Sequence, residues 1–416
     1  MNFFDNFKRE SRAGLTTFLA MVYIIPLNAL IMSQAGMPYE ALITATALLS
    51  LIATVANGVY ANTPIALSVG MGLNTYFTFG LVKGLGMSWQ SALAVVFISG
   101  LLFFILTLTP FRKMAIHSLP IDLRRAISAG IGSFIAFIGL KQIGIIVSDP
   151  VNFVHIGNLG EPTVLLGVGT FLTLLFLHVK KITGGFLISI LVGASAAWIL
   201  GFKEFPESIF SLPSSIAPIA FKLDFSEVFT LSIIPVVLAF MVADMFDSIG
   251  TLTGVGGRIF EDEEKLEKTL QVDAAASALG GLLGVSTVTS FIESATGVEE
   301  GGRRGLSVVV TGVLFGLSVF LLPLFSAIHP NAIYPVLILV GILMFSEVNK
   351  IDFSDFAVSA SAFMMIMVMP LSFSIATGLA SGLLTYLFIR IIKLEFDKIS
   401  PGLVILTLLS GLIFFV

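Results

Sequence analysis

The sequence predicts an all-α polytopic membrane protein of 14 transmembrane spans, arranged as two inverted seven-span repeats. Three observations carry this. Of the 416 residues, 56% are hydrophobic and only 12% charged, far more apolar surface than a soluble domain needs. Apolar runs long enough to cross a bilayer recur along the chain between short polar connections. Two stretches with the same interrupted pattern lie about half a chain apart, which marks a repeat whose broken helices meet near the bilayer midplane.

Residues 1–11 read as a short amphipathic lead-in. Lys8, Arg9 and Arg12 then precede a long apolar span, a start-transfer pattern with no cleavable signal. Spans follow at 12–33, 40–57, 63–82, 88–109, 122–144, 163–178 and 183–201. A Pro- and Ser-rich connection covers 202–226 on the outer side. Spans resume at 228–255, 267–283, 284–300, 304–326, 332–347, 354–371 and 374–392. The repeats are thus 1–201 and 227–392, followed by a hydrophobic tail, 393–416. Its last run, 401–416, would be about 24 Å long as a helix, either interfacial or a fifteenth span. Charge supports the layout. With the N-terminus in the cytoplasm, 18 of the 22 Lys and Arg residues fall inside, among them Arg112, Lys113 and Arg258. Only Lys83, Lys141, Lys203 and Lys222 fall outside. One missed span would reverse every later loop.

Several function classes drop out. A net charge of −4 with no basic patch does not suit nucleic acid. The absence of cysteine removes disulfides and thiol catalysis. His117, His155, His178 and His329 lack metal-ligand spacing. No catalytic residue, metal or cofactor is expected, and the chain does not read as an enzyme.

The stretch Gly284–Gly305 is unlike an ordinary membrane helix. Val285 to Ser290 alternates β-branched and hydroxyl residues, a strand pattern. Helical sequence resumes at Ile292 to Thr296 and ends at the glycines 297, 301 and 302. Glu293 falls where extended chain becomes helix. Non-helical backbone at membrane depth needs a protein partner or a cavity, and a carboxylate there points to function. A half-helix start also offers free N–H groups to a polar ligand. Asn62–Gly80 has the same grammar: an extended run from Pro64, then Gly70 and Gly72, then Asn74 at a short helix. Asn74 and Glu293 are 219 residues apart, and Pro26 and Asp244 are 218 apart. The two extended runs are expected to pair as a short antiparallel ladder, satisfying each other's backbone groups. Asp244 and Asp247 share one helix face. With the eighth span starting near Val228, Asp244 lies about 24 Å along it. Asp244, Asp247 and Glu293 have no Lys or Arg at comparable depth, so they cannot all stay ionised. That arrangement suits proton coupling.

Carboxylates, an amide and helix N-termini together offer acceptors and donors. A planar neutral heterocycle with N–H donors and ring acceptors matches both, and Tyr76, Phe77, Phe246 and Phe291 are placed to stack on it. Plainer roles compete: Asn74 as a helix cap, and Asp247 as a partner of Ser248 or a backbone N–H. Glu299 and Glu300 beside Arg303 and Arg304 read as a solvated cluster, as does the run from Glu261 to Lys268. The 38 phenylalanines and 14 methionines are mostly lipid-facing or core.

Glu10-Ser-Arg-Ala-Gly-Leu-Thr-Thr-Phe-Leu-Ala-Met-Val-Tyr-Ile, Gly70-Met-Gly-Leu-Asn-Thr-Tyr-Phe, Asp244-Met-Phe-Asp-Ser-Ile-Gly-Thr-Leu and Thr289-Ser-Phe-Ile-Glu-Ser-Ala-Thr-Gly-Val resemble the AzgA-like purine permeases of the nucleobase–ascorbate transporter superfamily. The resemblance covers essentially the whole chain. It implies a core domain (12–110 and 228–326) and a gate domain (122–201 and 332–392). It implies proton-coupled uptake of adenine, guanine or hypoxanthine across the plasma or inner membrane, with a proton rather than sodium as the coupling ion. Asn74, Asp244 and Glu293 would bind the purine, with Asp247 beside them; a homodimer is the candidate assembly. One departure stands out: Gly301-Gly-Arg-Arg-Gly-Leu-Ser replaces the family's Gly-Gly-Arg-Thr-Gly-Leu-Thr, placing Arg304 at the inner mouth. The alternatives are a same-fold permease for uracil, xanthine or an anion, a channel, and a membrane aspartyl hydrolase. Three midplane acids count against an anion. Two aspartates on one helix turn, rather than on separate spans, count against the hydrolase.

Overall fold

The computed structural model describes residues 3–109, 119–228, 230, 233–256 and 263–415. Arg112, Lys113, His117, Arg258 and the first residues of the acidic run at Glu261 lie outside them. The chain is mostly helical. Among the described residues, nine helices are long and apolar enough to cross a membrane, and three apolar helices are shorter.

Helix α1 (Phe3–Met21) runs through the expected lead-in without a break, and α2 (Ile24–Ser33) follows after a turn at Val22–Tyr23. Pro26 causes the interruption. It has no N–H to offer the Val22 carbonyl, so a turn interrupts the helix there, within one span over Asn6–Ser33. Helix α3 (Tyr39–Tyr60) precedes strand β1 (Leu67–Val69), the short helix α4 (Met71–Thr75) and a π-helical segment (Tyr76–Val82). Then come α5 (Trp89–Leu108), α6 (Ile121–Gln142), a hairpin of β2 (Ile146–Asp149) and β3 (Phe153–Ile156), α7 (Pro162–Val179) and α8 (Gly185–Ile199). The hairpin was not anticipated. Its signal is Asp149-Pro-Val-Asn, where Asp149 Oδ1 accepts N–H bonds from Val151 at 2.8 Å and Asn152 at 2.6 Å.

The second half holds α9 (Ile234–Gly256), α10 (Glu263–Leu283), strand β4 (Val288–Ser290), the short helix α11 (Ser294–Glu299) and α12 (Gly305–Leu317). Beyond these lie α13 (Leu322–Ser326), α14 (Pro330–Ile333), α15 (Pro335–Phe345), α16 (Phe356–Ser372), α17 (Ile375–Ile392) and α18 (Pro401–Gly411). Helix α9 begins later than Val228, so Asp244 is about 15 Å from its start rather than 24 Å. Helix α18 packs against α17 and α9.

The two extended runs do pair. Strands β1 and β4 are antiparallel, with Leu67 opposite Ser290, Ser68 opposite Thr289 and Val69 opposite Val288. All six residues are buried. The ladder continues through Phe291 N–H to Ala66 O (3.1 Å) and Gly70 N–H to Thr287 O (2.9 Å). Each strand's outer edge is closed by one hydroxyl. Thr54 Oγ1 accepts from Leu67 N–H at 3.1 Å and donates to Leu67 O at 2.6 Å. Ser277 Oγ lies 2.9 Å from both Val288 N and Val288 O. Backbone that would otherwise be orphaned at membrane depth is thereby satisfied.

Helix packing falls into two groups. Helix α12 packs on α3 and α1, and α10 on α5 and α3. Elsewhere α15 and α16 pack on α6, α17 on α16, and α7 on α8 and α15. Close approach in the first group depends on small residues. A Cβ on Gly305 would stand 1.8 Å from the Gly58 carbonyl oxygen.

Candidate functional site

Strand β4 ends at Ser290, the chain turns at Ile292–Glu293, and Glu293 sits at the residue before α11 without a side-chain capping bond. This places Glu293 on the wall of a cavity of about 700 Å³, within the usual range for small-molecule sites. Asp247, one turn beyond Asp244 on α9, lines the same cavity, with Met71, Gly72, Phe246, Thr289 and Phe291. Arg124, Arg125, Arg303, Lys350, Glu299 and Glu347 line the cavity as well.

Glu293 Oε1 accepts a 2.7 Å hydrogen bond from Tyr23 Oη. Tyr23 stacks on Phe186 of α8, with ring centroids 4.7 Å apart. Tyr23 was missed from the sequence; its signal is the Tyr just before the Pro26 break. Asp247 Oδ2 accepts from Thr289 Oγ1 at 3.3 Å, and the charge of Glu293 reaches it. No Lys or Arg among the described residues bonds to either carboxylate.

The other two nominated residues are placed differently. Asn74 is fully buried but does not line the cavity. Its Nδ2 donates to Asn28 Oδ1 at 2.8 Å, and Asn28 Nδ2 donates to Thr46 Oγ1 at 2.7 Å. Nor is Asn74 the N-cap of α4; that position is Gly70. Asp244 also stays out of the lining. Its Oδ2 lies 2.8 Å from Ser277 Oγ, behind strand β4, and its Oδ1 has no partner. A fourth acid, Asp273 on α10, completes this rear group. It is fully buried, Ser290 Oγ donates to its Oδ2 at 3.0 Å, and its Oδ1 is unpartnered. Asp273 lies close enough for its charge to reach Asp244. Nothing local in α10 singled it out, because its neighbours belong to α9 and β4.

The aromatic expectations divide as well. Phe246 and Phe291 line the cavity. Tyr76 and Phe77 do not; Tyr76 stacks on Phe240 with centroids 5.1 Å apart. The cluster at the mouth is solvated, as expected, but its ion pair is a different one. Glu300 pairs with Arg12 at 2.6 Å rather than with Arg303 or Arg304. Arg304 is exposed and outside the lining. Its backbone N–H, like that of Arg303, is held by the buried carboxylate of Glu10 at 3.2–3.3 Å. The departure from the family motif therefore changes a side chain that points away from the cavity wall.

Two polar pairs share one sequence offset. Asn28 and Asp247 are 219 residues apart, as are Asn74 and Glu293. In the first half the pair is two amides joined by one hydrogen bond, with Thr46 and Thr75 as further partners. In the second it is two carboxylates, which have only acceptors when ionised. An amide pair supplies its own donors; a carboxylate pair needs protons or a ligand that donates.

A model of the permease family, xanthine/uracil type, matches residues 8–381 of the chain. The adenine permease AdeP of Escherichia coli strain K12 is 37% identical over 407 residues, covering 97% of this chain and 91% of AdeP. The guanine/hypoxanthine permease PbuO of Bacillus subtilis strain 168 is 36% identical over 413 residues, covering 97% of this chain and 96% of PbuO. Among solved structures, the transmembrane domain of a cyanobacterium bicarbonate transporter, BicA, aligns with a TM-score of 0.66 over 92% of this chain and 98% of that one. At 16% identity that likeness is one of fold.

Proposed function

The chain belongs to the permease family, and on that premise we propose that it carries purine nucleobases into the cell together with a proton, by alternating access. The observation that carries the reading is the Asp247–Glu293 pair on the wall of an aromatic-lined cavity, with no cation bonded to either. A purine presents adjacent N–H donors to a carboxylate and a flat face to Phe246 and Phe291. The named substrates of AdeP and PbuO support a purine, and their near-equal identities, 37% and 36%, do not separate adenine from guanine and hypoxanthine.

Glu293 takes the base, with Tyr23 fixing its second oxygen. Asp247 stands beside it as the second acceptor. Asp244 and Asp273 form the proton-holding pair behind β4. The buried, unpartnered Oδ1 atoms of Asp244 and Asp273 support this. Ser277 has one hydroxyl hydrogen but faces both Val288 O and Asp244 Oδ2. That hydrogen can go to the carbonyl or to an ionised Asp244; a proton on Asp244 lets both contacts be made at once. Protonation removes the cost of carrying an uncompensated charge through an occluded state. Asn74 acts at one remove, holding α4 to α2 through Asn28.

The architecture that supports this is two inverted repeats of seven spans. The nine long helices, α8, α10, α16 and the two strand-and-helix segments at β1 and β4 together make fourteen. The moving bodies are α1–α5 with α9–α13 as the core and α6–α8 with α14–α17 as the gate. The cavity opens beside Arg124, Arg303 and Lys350, the side assigned to the cytoplasm by the distribution of Lys and Arg, so the state is inward-open. Gln34 closes the outer face. It donates to Tyr334 Oη and accepts from Lys83 Nζ at 2.9 Å and Gln142 Nε2 at 3.4 Å, tying α2 to the gate. Gln34→Leu should therefore populate the outward-open state. The native chain has no cysteine, so a Met71→Cys reporter on the cavity wall can be labelled without background. Its labelling by an impermeant maleimide from outside should rise severalfold in Gln34→Leu; an unchanged rate would remove Gln34 from the closure.

The test of the function is uptake of radiolabelled hypoxanthine, adenine, guanine, xanthine and uracil into expressing cells, with and without a protonophore. Purine uptake that collapses with the protonophore is expected. Uptake of uracil alone, or of no base, would overturn the purine assignment.

A further inference from the structure

Four cationic side chains line the mouth of the cavity, and three of them are occupied. Arg125 Nη1 donates to Asp122 Oδ1 at 3.1 Å and to Lys350 O at 2.6 Å. Lys350 Nζ pairs with Glu347 at 2.6 Å. Arg303 Nη1 donates to Val298 O and Gly302 O, at 2.6 and 2.8 Å. Arg124 is different. Among the described residues no carboxylate pairs with it, and its Nε is buried without a hydrogen-bond partner. It immediately precedes Arg125 in the first turn of α6, and the charge of Arg125 reaches it. Cations are unfavourable at a helix N-terminus, two together more so, and among the described residues no carboxylate offsets this one. An oxyanion would, since a guanidinium presents a planar fork of donors to it.

The same cavity therefore has an acidic, aromatic inner end and a cationic mouth carrying an unspent guanidinium. A ligand that satisfies both ends has a purine base and a phosphate. We propose that the cavity binds purine nucleoside 5′-monophosphates from the cytoplasmic side, with the base at Asp247 and Glu293 and the phosphate on Arg124. The proposal rests on the purine reading above and deepens it. A volume of about 700 Å³ admits a base, a ribose and a phosphate. Glu299 and Glu347 share the mouth, but Glu347 is neutralised by Lys350. The nucleotide is the product of the reaction class that consumes an imported base, phosphoribosyl transfer to a ring nitrogen. A bound nucleotide would hold the carrier inward-open and slow uptake when nucleotide is plentiful.

Purified full-length protein answers this by two measurements, direct calorimetric titration with AMP, GMP and IMP, and displacement of the matching radiolabelled base. The wild type should bind a monophosphate and release its base to it. Arg124→Gln should bind the base as the wild type does but the monophosphate about tenfold or more weakly, the loss of one charge-assisted contact. Arg124→Lys should recover part of it. Inorganic phosphate and ribose 5-phosphate should displace no base. No binding of any monophosphate, or equal binding by Arg124→Gln, overturns the proposal. If the bases fail to bind while a monophosphate binds through Arg124, the nucleotide site stands and the transport assignment falls.

Discussion

Glu293→Gln should abolish purine uptake while leaving the protein in the membrane at wild-type level. The amide keeps an oxygen that can accept from Tyr23, so the local fold survives. What is lost is the second acceptor and the charge that a purine N–H meets. A site built to hydrogen-bond a polar edge typically loses about 2–5 kcal/mol when one charged partner is removed, roughly thirtyfold or more. Asp247→Asn should give a smaller loss of the same kind. Asp244→Asn, out of the lining, should leave base binding near normal and remove transport. That split distinguishes a substrate contact from a proton-holding residue. Equal loss of binding in all three variants would contradict the division of roles.

The largest effect on folding is expected at Gly305. A valine there must place Cβ where the Gly58 carbonyl oxygen lies, at 1.8 Å. The obstacle is backbone, which cannot swing aside as a side chain does. Overpacking of this kind costs about 1–3 kcal/mol even where neighbours yield. The contact joins α12 to α3, the helix that packs on strand β1. Gly305→Val should reduce the monodisperse fraction on size exclusion and lower the melting temperature by several degrees. Gly169→Ala, where a Cβ meets nothing within 4 Å, is the control and should behave as wild type. A normal melt for Gly305→Val would mean that the α3–α12 crossing is looser than the structure has it.

What was legible in the sequence was whatever had a local pattern. The alternation from Val285 to Ser290 and its counterpart after Pro64 foretold two strands, and their common need for backbone partners foretold that they pair. Glu293 stood out because a carboxylate interrupts apolar sequence at a helix start. The groups found only in the structure act across large sequence separations. Tyr23 meets Glu293 over 270 positions, and Asp273 faces residues of α9 and β4. Side-chain direction was equally hidden. Asn74 and Asp244 have the spacing of site residues, yet each turns toward a neighbouring helix. The same limit applies to Arg304, whose position in the motif suggested the mouth although its side chain points to solvent. The start of α9 was misplaced because Val228 to Ile233 is as apolar as the helix that follows.

The central claim is that the carboxylate-lined cavity couples a purine to a proton. Its most direct test is proton flux in liposomes containing the purified protein and an entrapped pH-sensitive dye. Addition of hypoxanthine, adenine or guanine outside should acidify the interior of wild-type vesicles. No acidification should follow in Glu293→Gln vesicles. Purine entry into wild-type vesicles with no movement of protons, or acidification that persists in Glu293→Gln, would contradict the account.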